Sequence, residues 1–223
     1  LKVTQHFPIQ RELEILSLDQ AQELYPKVTG FRFNYVIRVG NTESHSNLVS
    51  SDADRFFLKA IRSQSDLIVS TGATARAESL KASKYAPLLL LTKQKRLDCP
   101  ATQVESVQPV YVSVPEQHFL NSKAIALGVT TKPLSSWLIG LITGKAYNCI
   151  VFESGLTVTR EIINMDLAAE FCLTVTGAAD SVTAISSADR FVRDLGVNPE
   201  LVQLLEADQT FLFRFDLRKR TQL

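Results

Sequence analysis

The chain has 223 residues, 45% hydrophobic and 21% charged, and its 24 basic and 23 acidic side chains leave a net charge of +1. That composition is ordinary for a globular protein with a real core and excludes a disordered or collagen-like chain. The even charge balance gives no support to nucleic-acid binding, and no apolar run approaches the roughly 18 residues of a membrane span.

In chain order, Ser17 to Leu24 reads as a short helix capped by Ser17 or Asp19 and stopped by Pro26. Phe31 to Val39 is rich in β-formers and predicts the first core strand, followed by a polar loop from Gly40 to Ser51. Ser51 with Asp54 has the form of a capping box. Behind it Ala53, Phe56, Phe57, Ala60 and Ile61 recur at helical spacing, so one face of this helix should meet the core. Asp66 to Ser70 is then a short buried strand.

The alternation continues. Pro87 to Thr92, Val110 to Val114, Ala124 to Val129 and Asn148 to Glu153 read as strands, while Leu134 to Ile142 and Thr157 to Asn164 read as helices. Glu170 to Thr176 and Gln209 to Leu217 are later strands, with a helix expected between them over 186–206. Continuous apolar strands alternating with helices predict an α/β fold with a mostly parallel central sheet and antiparallel C-terminal strands. No Pro/Gly-rich linker divides the chain, so residues 1–223 read as a single domain, with 1–28 as an N-terminal extension packing on it.

Cys99, Cys149 and Cys172 are far apart and odd in number. They offer neither a metal spacing nor a disulfide framework, which suits a reducing cytoplasm, and the last two sit in apolar runs as core residues. Arg218-Lys219-Arg220 reads as a solvated tail. The chain begins at Leu1, which leaves room for a removed leader.

Two strand-to-helix turns are the candidate sites. In Thr71-Gly72-Ala73-Thr74 small residues let backbone N–H groups approach a phosphate, Thr74 adds a hydroxyl, and Glu78 could hold a ribose hydroxyl. The plain alternative is a tight turn with a carboxylate near a helix N-terminus. Phe152 to Thr157 repeats the design, with Glu153 at the end of a strand, where parallel sheets bind ligands. Its alternative is a charge marking where the strand leaves the core. Arg62 suits a helix C-terminus on electrostatic grounds alone, and the loop His45 and Ser46 need no role beyond solvation. Gly140 to Lys145 lacks the residues of a P-loop, and no nucleophile elbow or zinc-ligand pair occurs.

The stretch Ser46-Asn-Leu-Val49-Ser50-Ser-Asp-Ala53-Asp54-Arg55, with Arg62, Asp66 to Val69 and Thr71 to Glu78, resembles the pyrimidine reductase domain of riboflavin biosynthesis. It looks closest to that domain's stand-alone actinobacterial form. Ile150 to Leu156 matches a second block of that family. The resemblance implies a dihydrofolate-reductase-like three-layer fold and an NADPH-dependent reductase of a ribosylamino-pyrimidine phosphate. It assigns Asn34, Ser46, Arg62 and Glu153 to the substrate, and Gly72, Ala73, Thr74, Glu78, Ser154, Gly155, Leu156 and Thr157 to NADPH. It also implies a homodimer, and it names no catalytic acid or base and no metal. Alternatives are a nucleotide-binding homologue without activity, or a reductase of another heterocycle such as folate.

Three departures bear on activity. Arg38-Val39-Gly40-Asn41 stands where the family carries an aspartate, and Thr71-Gly-Ala-Thr shifts the small residues of the first turn. Ser154 replaces a glycine and Leu156 a proline in the second, and a side chain at Ser154 would clash if the backbone there needed a positive φ. The aromatic alternation of Phe211, Phe213 and Phe215 against Leu212 and Arg214 predicts a strand that buries one face in the core and the other against a twofold partner. Its alternative is an edge strand with one face wet.

Overall fold

A computed structural model describes residues 1–40, 49–94, 96–113, 123–128 and 134–218. In chain order the elements begin with β1 (Lys2–Phe7), β2 (Arg11–Glu14), α1 (Leu18–Leu24), β3 (Gly30–Arg38) and α2 (Asp52–Ser63). Next come β4 (Leu67–Thr71), α3 (Gly72–Ala77), β5 (Leu88–Leu91), α4 (Pro100–Gln103), β6 (Val110–Val112) and β7 (Ile125–Ala126). The chain finishes through α5 (Leu134–Lys145), β8 (Cys149–Glu153), α6 (Leu156–Ile162), β9 (Ala168–Thr176), α7 (Ser181–Asp194), β10 (Glu200–Ala207) and β11 (Thr210–Asp216). Contacts divide it into two units: unit 1 is Leu1–Ile61 with Asp166–Leu223, and unit 2 is Arg62–Met165.

Unit 1 has the strand order β2-β1-β10-β11-β9-β3, antiparallel throughout except for the parallel pair β9 and β3. Unit 2 has the order β8-β4-β5-β6-β7, parallel throughout. This is the expected α/β class, with parallel strands through the middle of the chain and an antiparallel finish. Val69, Leu89 and Phe152 are fully buried in unit 2, as continuous apolar strands of a parallel sheet require.

Several elements depart from expectation. Residues 2–14, read only as part of an extension, form the hairpin β1–β2, and β1 adds to the sheet beside β10. The helix expected over 186–206 ends at Asp194, and residues 200–207 are β10. Gly196 at φ 76 closes the helix, and Pro199 has no N–H with which to continue it. β10 then turns into β11 through Asp208 and Gln209, both at positive φ, which is the backbone of a two-residue hairpin loop.

That placement corrects both readings of β11. It lies between β10 and β9, so it is no edge strand, and Phe211, Leu212, Phe213 and Phe215 are all buried by their own chain. Neither face needs a twofold partner to cover it. The Ser17 cap forms as expected, with Gln20 completing the capping box. Ser51 Oγ accepts the Asp54 N–H at 3.1 Å, but the Asp54 carboxylate is buried and accepts from Ser50 Oγ at 2.5 Å and Thr174 Oγ1 at 2.6 Å. Asp54 therefore ties α2 to β9. Among the described residues, no helix is long and apolar enough to cross a membrane.

Candidate functional site

In unit 2 the strands β4 and β8 are parallel neighbours, with Ser70 opposite Glu153 at their carboxyl ends. Parallel neighbours lie about 4.8 Å apart, so the two candidate turns that follow these strands stand side by side. The Asp66 carboxylate accepts the N–H groups of Asn148 and Cys149 at 3.0 and 2.9 Å, fixing the start of β8 against β4. At the other end the Ser70 hydroxyl donates to the Glu153 carbonyl at 2.7 Å. Register and turn positions are thus pinned at both ends of the pair.

Arg62, in the last turn of α2, meets the Glu153 side chain in a two-pronged ion pair: Nε donates to Oε1 at 2.7 Å, and Nη2 donates to Oε2. The pair is partly buried, with side-chain exposures of 25% and 13%. A planar guanidinium and a carboxylate held this way present a fixed polar edge beside the strand ends. The sequence reading assigned both residues to substrate, and the structure brings them together.

The two turns differ in how their polar groups are used. In the first, Thr71 is the N-cap of α3: its Oγ1 accepts the Thr74 N–H at 3.1 Å and shares a hydrogen bond with the Thr74 hydroxyl at 2.9 Å. Gly72 is buried, and a Cβ there would lie 2.9 Å from both Cβ and Oγ1 of Thr92. Packing alone therefore demands glycine at this position. Ala73 is exposed, and Glu78 caps the C-terminal end of α3. A carboxylate at that end opposes the helix dipole, so the explanation of Glu78 as an N-terminal helix charge does not apply.

In the second turn Gly155 is exposed at φ −61, and a Cβ on it would meet nothing within 4 Å among the described residues. It is the N-cap of α6 without a side-chain cap, and Leu156 and Thr157 begin the helix. The clash expected at Ser154 does not arise. Its φ is not positive, the residue is buried, and its hydroxyl turns inward to Thr159 Oγ1 at 3.4 Å.

Of the remaining site residues, Asn34 lies on β3 in unit 1, opposite Cys172 in register and half-buried. With Asp54, Phe57 and Thr174 it lines a small crevice of that unit. Ser46, His45 and Asn41 fall outside the described residues.

Sequence reading missed a buried charge cluster in unit 1. Arg32 Nε donates to Glu170 Oε2 at 2.5 Å, while Arg214 donates to Glu170 Oε1 from Nε at 3.0 Å and Nη2 at 2.6 Å. Each residue is a lone charge flanked by apolar neighbours in a strand: Phe31-Arg32-Phe33, Ala169-Glu170-Phe171 and Phe213-Arg214-Phe215. Two signs recurring in that setting were the available signal.

Comparison with solved structures finds the same fold in several pyrimidine reductases. The chain aligns with a pyrimidine reductase-like protein of Corynebacterium diphtheriae at a TM-score of 0.62 and 16% identity, over 91% of this chain and 95% of that one. It also aligns with a riboflavin biosynthesis reductase of Saccharomyces cerevisiae at 0.57 and 10%, over 92% and 93% of the two chains. A deaminase and 5-amino-6-(5-phosphoribosylamino)uracil reductase of Thermotoga maritima matches at 0.61 and 13%, and this chain spans 59% of its length. No family model and no curated protein sequence matches the chain. The expected fold is therefore the fold observed, at identities that speak to fold alone.

Proposed function

We propose that this protein is an NADPH-dependent reductase acting on a ribosylamino-pyrimidine phosphate. The observation that carries the reading is the pair of small-residue turns at the carboxyl ends of adjacent parallel strands, with the Arg62–Glu153 pair beside them. Ligands of parallel α/β sheets bind at strand ends of this kind. The fold shared with pyrimidine reductases supports the same reading.

The residues present fit a dinucleotide. The Cα of Gly155 opens onto space that no atom of the described residues fills, so a phosphate or ribose could approach the backbone there. Ala73, Thr74, Leu156 and Thr157 would form the rest of its bed, and Glu78 would accept from a ribose hydroxyl. When bound, the cofactor supplies the hydride. The chain's own work is positioning and water exclusion: the Arg62–Glu153 edge orients the polar end of the substrate, to which the family resemblance also assigns Asn34 and Ser46. A homodimer and a reducing cytoplasm belong to the same proposal, the latter consistent with three buried cysteines.

Fluorescence titration with NADPH, followed by turnover of the ribosylamino-pyrimidine phosphate, tests the reading; absence of NADPH binding overturns it. A second reading, a homologue that binds nucleotide without turnover, is favoured by two observations. Arg62 already engages Glu153 through two of its nitrogens, and the aspartate expected after the first strand is missing. Tight NADPH binding with no reduction of any aminopyrimidine would select it. Light scattering at micromolar concentration reads the oligomeric state, and a strictly monomeric mass removes the homodimer.

A further inference from the structure

Unit 1 carries a cavity of about 410 Å³ at the amino ends of β3 and β9. It is bounded by the 26–29 segment, by Ala169 and Val202, and by charged residues of that segment, of β9, and of β11 and the residues just after it. Lys27, Arg214 and Arg218 line it against Glu170 and Asp216, and the fully buried Arg32 stands behind Glu170. The volume falls within the range of small-molecule sites.

Arg214 is the informative wall residue. Its side chain is only 13% exposed, and it donates to Glu170 from Nε and Nη2, and from Nη1 to the Leu24 carbonyl at 2.5 Å and to Gln203 Oε1 at 3.2 Å. A guanidinium has five N–H groups, so the second hydrogen on Nη2 has no protein acceptor among the described residues. Arg218 gives Asp216 only Nε and Nη2, each at 3.2 Å, and keeps Nη1 for another acceptor. Beyond Glu170 and Asp216, the buried titratable groups nearby add no negative charge. Burial pushes the Tyr25 phenol and the Cys172 thiol up, so both stay protonated. Glu200 lies opposite Asp216 in register, but it is exposed and off the cavity wall.

We propose that this cavity binds a small molecule bearing an oxyanion, a phosphate ester or a carboxylate, which accepts from Arg214 at the floor and from Arg218 at the mouth. An oxyanion would use the donors left over after the internal ion pairs are made, and charge-assisted hydrogen bonds of this type are the stronger class. The inference is independent of the reductase reading, because none of the residues it uses is assigned there to substrate or cofactor.

The test is an NMR titration of the full-length chain with inorganic phosphate and, separately, with acetate, at fixed pH and ionic strength. Saturable shifts are expected at the Arg214 side-chain Nε and at the Ala169 and Val202 amides. Arg218→Gln, a change at an exposed residue, should weaken the apparent affinity about fivefold, as expected for one solvent-screened charge contact. Arg214→Lys should abolish the shifts, and if that variant fails to fold, Arg218→Gln decides alone. Saturation by phosphate only assigns a phosphate ester, and saturation by acetate as well assigns oxyanions generally. Linear shifts, shifts confined to residues 71–74 and 153–157, or an affinity unchanged in Arg218→Gln would overturn the proposal.

Discussion

The two turns of unit 2 share a design and differ in what is left over. After β4, the hydroxyl of Thr71 takes the Thr74 N–H, the Thr74 hydroxyl bonds to Thr71, and Gly72 presses on Thr92. After β8, the inward Ser154 hydroxyl is the local polar link, and Gly155 faces open space. Glycine at 72 is thus a packing requirement, whereas nothing among the described residues demands glycine at 155. Two similar strings of small residues therefore carry different information. The first describes the protein's interior; the second leaves room for something outside it.

Substitutions can break or sharpen that contrast. Glu153→Ala should cost most, because it removes the two-pronged partner of the partly buried Arg62. We expect a loss of about 2–3 kcal/mol, below the full cost of breaking a buried pair since water still reaches Arg62, read as a lower urea midpoint at unchanged slope. Gly72→Ala should follow, with overpacking against Thr92 costing about 1–3 kcal/mol in the same assay. A cost near zero there would remove the packing explanation.

Thr71→Ala should lose about 1 kcal/mol, the usual value of a side-chain cap. Gly155→Ala is the smallest in stability and the most telling in function. The folded protein should change by less than about 0.5 kcal/mol, while a dinucleotide approaching that backbone would bind roughly tenfold more weakly. Equal NADPH affinity in Gly155→Ala and wild type would place the cofactor's contacts elsewhere.

Much of this architecture was readable from residues because its parallel strands are buried on both faces and so appear as unbroken apolar runs, as at Leu88–Leu91 and Cys149–Glu153. β10 was not readable. Glu200–Ala207 has apolar residues at spacings that suit either a helix or a strand, and its pairing with β11 is what decides. β1 and β2 were hidden for a related reason: they are short, and β2 is exposed along its length apart from Leu13.

At the site, the turns could be located from small residues after strands, and the Arg62–Glu153 partnership could not. The two residues are far apart in sequence and meet only once Asp66 and Ser70 have set β8 beside β4. Which glycine was structural could not be seen either. The answer depends on Thr92, a residue with no signature of its own.

The division of the chain sets an order of events during synthesis. Unit 2 ends at Met165, whereas β1, made first, pairs with β10, whose residues Leu204 to Glu206 lie some two hundred positions later. Chains are released from the ribosome from the N-terminus onward, and domains fold as their sequence completes. Unit 2 can therefore close while β1 still waits for β10 and β3 for β9, and such long-range strand pairings are intrinsically slow. During that interval the bare strand edges of the N-terminal segment are what a chaperone would have to guard.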